Sequence, residues 1–595
     1  MIVCIAEKPS VARDLAQILG AKDRKDGFFE GNGFQVTWTI GHLCGLKDPE
    51  DYSANLKYWR LEDLPIIPEK FEIKLINNQG TMRQFEVIKN LVQQASEIIN
   101  CGDAGQEGEL IQRWVLLQAK NKVPVRRLWI SSLTEEAIRE GFQKLRPAKD
   151  FDRLFFAGYS RAVGDWLLGI NGTRLYTQKF GKGQIMFSVG RVQTPTLAMI
   201  VQRQKEIDAF KSETYFELKT IFREVEFLAQ FKNRLTEEER AKKGLEYLKD
   251  KPFVVTQFEQ KEGKEGNPRL FDLTSLQVEA NKRYAMSADE TLKHIQSLYE
   301  KKLVTYPRVD TTYLPEDMHP KVPNILNGLR DYTRFTTTLL QAPIPKSKAV
   351  FDDKKITDHH AIIPTGIAPS GITPEEQKIY DLVARRFIAA FYPPATVSNT
   401  TVLGKVGDVV FKTTGKQILD KGWQMVYDDW KEQRKEARKG KKDEEEKVLP
   451  IFTVDESGPH EPFIHVGKTA SPKPYTEATL LRAMETAGKL VDDEEMRDLM
   501  KENGIGRPST RANIIETLFK RKYIERKKKN IHPTPTGIQL IDTIKNEILK
   551  SPELTGQWEY KLRQIEKGEL EPKNFIQELG KMVREMTDDV IFNRN

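Results

Sequence analysis

The chain has 595 residues, 30% of them charged and 39% hydrophobic, with a net charge of +8 at pH 7. Length suggests roughly four domains, and no apolar run approaches the ~20 residues a helix needs to cross a bilayer. The composition therefore excludes a helical membrane protein and predicts a cytoplasmic one with no membrane partner. The opening MIVCIAEKPS has no basic region ahead of its apolar run and no cleavage-site pattern, so it reads as a buried strand and not a signal peptide. The three cysteines, Cys4, Cys44 and Cys101, lack metal-ligand spacing, so neither disulfides nor zinc is expected.

Residues 1–150 alternate β-branched runs (MIVCIA, SEIINCGD) with amphipathic segments (ARDLAQILG, ELIQRWVLLQA), which predicts an α/β domain on a parallel sheet. Helical spacing follows over 151–212. Strand patterns over 213–277 (TYFELKTIF, PFVVTQFEQ) return over 398–450 (SNTTVLGKVGDVVFKTT), around a largely helical insert at 278–397. Residues 428–447 are almost all charged and are expected to be a solvated helix or linker. The remainder, 451–595, is predicted helical, and GRPSTRANIIETLFKRKYIERKKKNIHPTPTG has the outline of a winged helix: a helix, then a hairpin. HVGKT at 465–469 lacks the upstream glycine of a Walker A loop, position 462 being Pro, so direct use of ATP is not expected.

Glu7 and Lys8 end the first predicted strand, at the edge where open parallel sheets bind ligands. A surface ion pair would explain them equally well. In NCGDAGQEGELIQ, however, Asp103, Glu107 and Glu109 are expected at the same edge. Converging carboxylates repel unless a cation or a shared proton relieves them, and Mg²⁺, which needs only one or two carboxylates, suits such a site. A second stretch, KKLVTYPRVDTTYLPEDM at 301–318, holds Tyr306 and Tyr313 near Arg308 and Asp310. A phenol with pKa about 10 is a poor nucleophile unless its anion is stabilised, and an arginine two residues on can hold both phenolate and phosphate.

A strand-end Glu with an acidic glycine-rich turn resembles the toprim domain. Together with YPRVDTTYL, SVGRVQTPTL, DHHAIIPT and GIGRPSTRANII, in that family's order, the whole resembles the type IA DNA topoisomerases, nearest their bacterial topoisomerase III branch. That implies a toroid: a toprim domain (1–150), a helical DNA-binding platform with a winged-helix-like part (151–212 and 451–595), a β-rich arch (213–277 and 398–450) and a helical domain carrying the tyrosine (278–397). It implies an ATP-independent enzyme that cleaves one DNA strand, passes another and reseals, relaxing negatively supercoiled DNA and decatenating. Tyr306 would attack, leaving a 5′-phosphotyrosine, while Tyr313 packs nearby. Arg308, Glu7, Lys8 and His359 would complete the catalytic set, Lys8 either assisting the acid Glu7 or holding the scissile phosphate. His359 is favoured over His360, with Asp358 orienting an imidazole in preference to a metal.

Mg²⁺ would be held by Glu7, Asp103 and Glu107. The family turn D-x-D-x-E reads D-A-G-Q-E here, so Gly105 replaces the second Asp and puts tight metal binding in doubt. Single-stranded DNA would meet Ser188, Val189, Gly190, Arg191, Val192, Gln193 and Thr194 through backbone amides and polar side chains. Arg161, Arg174, Arg308 and Arg507, with Arg511 beside it, would add charge. Trp166, and less securely Trp59, would stack on bases, although a helical tryptophan is more often core. A monomer is expected, and a partner helicase is left open. The competing readings are another toprim enzyme, a nuclease or primase, and a non-catalytic single-stranded DNA-binding protein.

Overall fold

A computed structural model describes the chain except residues 132, 182–184, 357–358, 431, 433–445, 488–503 and 593–595. Most of the charged 428–447 run and Asp358 lie outside the described residues.

The first sheet is built around β1 (Ile2–Ala6), in which Val3, Cys4, Ile5 and Ala6 are all fully buried. An unbroken apolar run is what a parallel strand covered on both faces requires. It pairs in parallel with β4 (Phe34–Trp38) on one side and β7 (Glu97–Cys101) on the other. β2 (Asp23–Lys25) and β3 (Phe28–Gly31) extend the sheet beyond β4, and β8 (Val125–Arg127) and β9 (Arg146–Pro147) beyond β7. β5 (Cys44–Leu46) and β6 (Ile73–Leu75) pair separately. Because the chain leaves β1 for opposite neighbours, a crevice opens at the C-terminal edge between β1 and β7. Turns at that edge feed the helices Pro9–Leu19 and Gln106–Gln118. They set Glu7, Lys8 and Asp103 side by side.

The helix Asp152–Phe180 runs beneath this domain and packs on Pro552–Lys567 and Pro572–Phe592. Gly164 permits the approach, since a Cβ there would stand 2.8 Å from the Trp558 ring. The helix Pro508–Lys520 is followed by the hairpin β17 (Ile524–Lys527) and β18 (Asn530–Pro533), as the winged-helix outline predicts.

The second sheet is antiparallel, in the order β15-β12-β13-β14-β11-β10-β16. Its strands are β10 (Thr214–Phe222), β11 (Val225–Ala229), β12 (Phe253–Glu265), β13 (Ala395–Val406), β14 (Val409–Asp420), β15 (Ser457–Gly458) and β16 (Glu461–Lys468). The last two correct the expected boundary at 450: Thr214 pairs with Lys468 and Ile221 with Glu461, so the chain stays in the sheet to 468. β16 is an edge strand with no buried residue, and it lacks the apolar alternation that would mark it in the sequence. Between β12 and β13, the helices Leu273–Tyr284, Ala288–Glu300 and Pro374–Phe391 form the domain holding residues 301–318. No helix among the described residues is long and apolar enough to cross a membrane.

Candidate active site

The carboxylates of the sheet edge do not all converge. Glu7 is buried, and its Oε2 accepts the Asp103 N–H at 3.3 Å. Glu107 turns aside to His42, Oε1 to Nε2 2.6 Å. Glu109 does not project into the crevice as expected. It is fully buried behind the turn, held by Arg127 at 2.9 Å and Arg113 at 2.8 Å. Arg127, also fully buried, donates to the carbonyls of Gly102 (2.7 Å) and Asp103 (2.8 Å) and so fixes the acidic turn. The expected trio Glu7, Asp103 and Glu107 is therefore not assembled, and no group of three metal-ligating side chains forms among the described residues. Gly105 sits in this turn at φ 146°, ψ 170°, a region nearly closed to other residues.

The tyrosine arrives from the opposite domain. Tyr306 is 8% exposed, and its backbone N–H donates to the Ser131 carbonyl at 3.0 Å. Its ring lies 4.5 Å from His359 and 5.4 Å, edge-on, from Tyr299. His359 bridges the same seam, with Nε2 2.5 Å from the Ala104 carbonyl and Nδ1 3.2 Å from Ser131 Oγ. A carbonyl only accepts, so Nε2 carries the proton and Nδ1 accepts from the serine. Burial lowers the His359 pKa to about 4, so the ring is neutral. His360 is buried apart, with Nδ1 near its neighbour's carbonyl. Tyr313 is half-buried under the Arg269 guanidinium.

The electrostatics of the seam are unbalanced. Burial, then the charge of Asp103, raises Glu7 to about 7 against the pull of Arg308 and Lys8. Asp103 is raised by burial as well. Glu107 goes the other way, its hydrogen bond from His42 lowering it despite burial. Burial and the charge of Asp103 push Tyr306 well above the ordinary phenol range, and Arg308 only partly offsets them. Arg308 Nε is buried with no hydrogen-bond partner. Burying such a donor unsatisfied costs about 1–3 kcal/mol, a cost that an incoming anion would remove.

The residues expected on DNA are placed differently. Ser188, Val189, Arg191, Val192, Gln193 and Thr194 are buried and Gly190 is half-buried. The amides of 188, 189 and 190 donate to Tyr523 Oη (2.8 Å), Thr173 Oγ1 (3.1 Å) and Thr194 Oγ1 (3.0 Å), so they are spent inside the protein and not offered to phosphates. Arg174 is likewise buried, bonded to the Leu56 carbonyl at 2.6 Å and lying over Trp59. Trp166 is wedged edge-on against Tyr52 and Phe71, and its indole N–H donates to the Lys47 carbonyl at 3.0 Å, which is a packing role. Arg511 is buried against Thr274 Oγ1.

Arg161 grips Glu559 with two bonds of 2.6 and 2.8 Å, Arg191 adds one of 2.9 Å, and Arg507 stands 3.7 Å away. Sequence reasoning missed Glu559, whose only signal is its position beside Trp558 on a largely apolar helix face. It also missed His42, Arg127 and Glu300, each defined by a distant partner.

Two family models match the chain. The model described as Toprim domain covers residues 2–133, and that described as DNA topoisomerase covers 149–577. A DNA topoisomerase 3 of Bacillus cereus is 40% identical over 603 residues, spanning 99% of this chain and 81% of its own. One from Bacillus subtilis is 38% identical, covering 97% and 80%. The fold is similar to that of full-length topoisomerase I from Thermotoga maritima, with TM-score 0.73, 22% identity, and 98% and 90% of the two chains covered.

Proposed function

This chain belongs to the type IA DNA topoisomerases, and from that membership we propose that Tyr306 is its nucleophile and that the seam between the toprim sheet edge and the tyrosine domain is its cleavage site. One observation carries the reading: Tyr306 and Arg308, the latter with an unspent buried N–H, face Glu7 and Asp103 across the seam between two domains. The matches give no support to a nuclease, a primase or a silent binding protein.

In the proposed cycle a phosphodiester of single-stranded DNA enters the seam. Arg308 and Lys8 hold its oxygens, the first as a fork and the second as a point charge. Their charge lowers the cost of the phenolate, which burial otherwise holds high. The phenol proton passes toward Asp103, the charge that presses on it hardest. A bond forms between the tyrosine oxygen and phosphorus, and the bond from phosphorus to the 3′-oxygen breaks. Glu7, partly protonated near neutral pH, gives its proton to the leaving oxygen. His359 keeps the tyrosine and the acidic turn in register through Ala104 and Ser131. The phosphotyrosine ester conserves the bond energy, so resealing needs no ATP.

The residues present fit Mg²⁺. Glu7 is buried and Asp103 half-buried beside it, both with raised pKa values, and one or two carboxylates are enough for this ion. Glu107 would join them only by leaving His42. When bound, the ion supplies positive charge that helps align the 3′-hydroxyl for resealing.

We further assign the toprim sheet, the helical platform, the arch extended to 468 and the tyrosine domain as four working parts of a ring. The tyrosine domain lifts away after cleavage. We propose that it works as a monomer on single-stranded regions of supercoiled or catenated DNA in the cytoplasm. The test is adduct trapping: the chain with a single-stranded oligonucleotide, without ATP, quenched in denaturant, should yield a covalent complex that Tyr306→Phe does not form.

A further inference from the structure

Lys8 is placed on the scissile phosphate, yet its ammonium is already engaged. Nζ lies 2.8 Å from Glu300 Oε1, across the seam. Glu300 is the last residue of the helix Ala288–Glu300, directly after Tyr299, whose ring meets Tyr306 edge-on. Gln296, one turn earlier, donates to the same Glu300 oxygen at 3.2 Å and so holds the carboxylate in place. A second ion pair runs alongside: Lys302 Nζ to Asp14 Oδ1, 2.9 Å, with Asp14 on the helix that Lys8 caps. Thus two ion pairs join the helix Pro9–Leu19 to the end of the helix Ala288–Glu300, beside the nucleophile.

We propose that Glu300 is a substrate-mimicking latch, its carboxylate occupying on Lys8 the place that a DNA phosphate takes over. A carboxylate and a phosphodiester offer an ammonium the same thing, an anionic oxygen at hydrogen-bond distance, so one exchanges for the other without leaving Lys8 unpaired. The exchange is open to solvent, because the Lys8 and Glu300 side chains are 25% and 31% exposed. It also has a direction. Before exchange the Lys8–Glu300 pair ties the two domains together, and after it Lys8 is tied to DNA instead. Loading therefore removes one of the two ion pairs resisting separation at this point, while Asp14–Lys302 remains. A seam without substrate stays shut, and a loaded one is easier to part once the strand is cut. The proposal rests on the placement of Lys8 under Proposed function and adds Glu300 as a positioning residue that acts through Lys8.

The test is a double-mutant cycle on equilibrium binding of a fluorescent single-stranded oligonucleotide at low salt. The full chain carries Tyr306→Phe to prevent cleavage. Glu300→Gln keeps the shape and the contact with Gln296 but gives up the charge. It should tighten binding about 1.5- to 5-fold, the range of a partly exposed ion pair, and the gain should vanish in the Lys8→Ala background. Equal tightening in both backgrounds would mean that Glu300 only repels DNA at a distance, which overturns the latch. Unchanged affinity for Glu300→Gln, with Lys8→Ala weakened, also overturns it but leaves Lys8 on the phosphate. If Lys8→Ala binds as well as the parent chain, the placement of Lys8 fails, and the latch with it.

Discussion

Two clusters in this molecule bury a glutamate among cationic side chains, with opposite results. At Glu559, burial would raise the carboxyl, but Arg161, Arg191 and Arg507 hold it far below the usual carboxylate range. At Glu7, Arg308 and Lys8 pull the same way and lose to burial and Asp103, so the carboxyl sits near 7. The first cluster has charge to spare and joins the helices Asp152–Phe180 and Pro552–Lys567 to Arg191 in the turn before the helix Gln193–Ala209. The second is left incomplete on a seam between parts that separate in the proposed cycle. A carboxyl that is unsatisfied at rest is free to give a proton, and an arginine with an unspent N–H is free to take a phosphate. Saturation marks the clamp, and shortage marks the reactive site.

The largest test of this contrast is at Tyr306. Tyr306→Phe should abolish both the covalent adduct and relaxation of supercoiled DNA, while Tyr313→Phe, lying under Arg269, should retain both with some loss of stability. Retention of the adduct by the first variant and loss by the second would move the nucleophile. Next is Glu559→Ala, which leaves Arg161 and Arg191 facing each other in a buried site. Breaking a buried pair in this way typically costs about 3–5 kcal/mol, readable as a lower midpoint in urea, and the folded fraction should still form adduct. If that variant unfolds at the same urea concentration as the parent, the cluster is no clamp. Glu7→Gln should do the reverse, keeping or raising the midpoint at neutral pH while losing cleavage.

The pH dependence of Glu7 separates the clusters more finely. Its folded pKa of about 7 lies above the unfolded value of 4.5. Between those limits the folded chain holds a proton that the unfolded chain has released. The contribution of Glu7 to stability is thus greatest below pH 4.5, declines as pH rises to about 7, and is level above. Glu7→Gln should flatten that slope between pH 5 and 7 in urea unfolding. Single-turnover adduct formation by the parent should fall as pH rises beyond about 7, when the acid is lost. A yield that climbs steadily through pH 8.5 would remove Glu7 as the proton donor.

Much of the proposed reactive seam was legible in the sequence, because its residues sit at local signals. Glu7 and Asp103 end apolar runs before helices, and Tyr306 precedes Pro307 and Arg308. The clamp was not. Arg161 and Arg191 read as DNA contacts because nothing local reveals a carboxylate 398 and 368 residues away. Lys8 and Glu300 are 292 apart, and the partner of Trp166 is a backbone carbonyl 119 residues back. The 188–195 segment misled for another reason: glycine, serine and threonine suit a phosphate cradle and an internally bonded turn equally well. The arch strand Glu461–Lys468 was missed because an exposed edge strand carries no buried alternation.

The smallest effect is expected at Gly105, where the incompleteness of the seam is written into the sequence itself. In the family turn an aspartate stands there, and its return would seem to restore a third carboxylate beside Glu7 and Asp103. Space allows this, since a Cβ at 105 meets nothing within 4 Å. The backbone does not, since φ of 146° strains any side chain by about 1–3 kcal/mol. Gly105→Asp therefore brings a charge and a strain together, and Gly105→Ala brings the strain alone. Both should lower the urea midpoint to a similar degree. Relative to Gly105→Ala, the aspartate should shift the Mg²⁺ series for relaxation to lower concentration and leave the series for adduct formation in place, because cleavage draws on Tyr306, Arg308, Lys8 and the Glu7 proton. Coincident Mg²⁺ curves for the two variants would show that position 105 does not face the ion, and that the seam owes its shortage of ligands to His42 holding Glu107 aside.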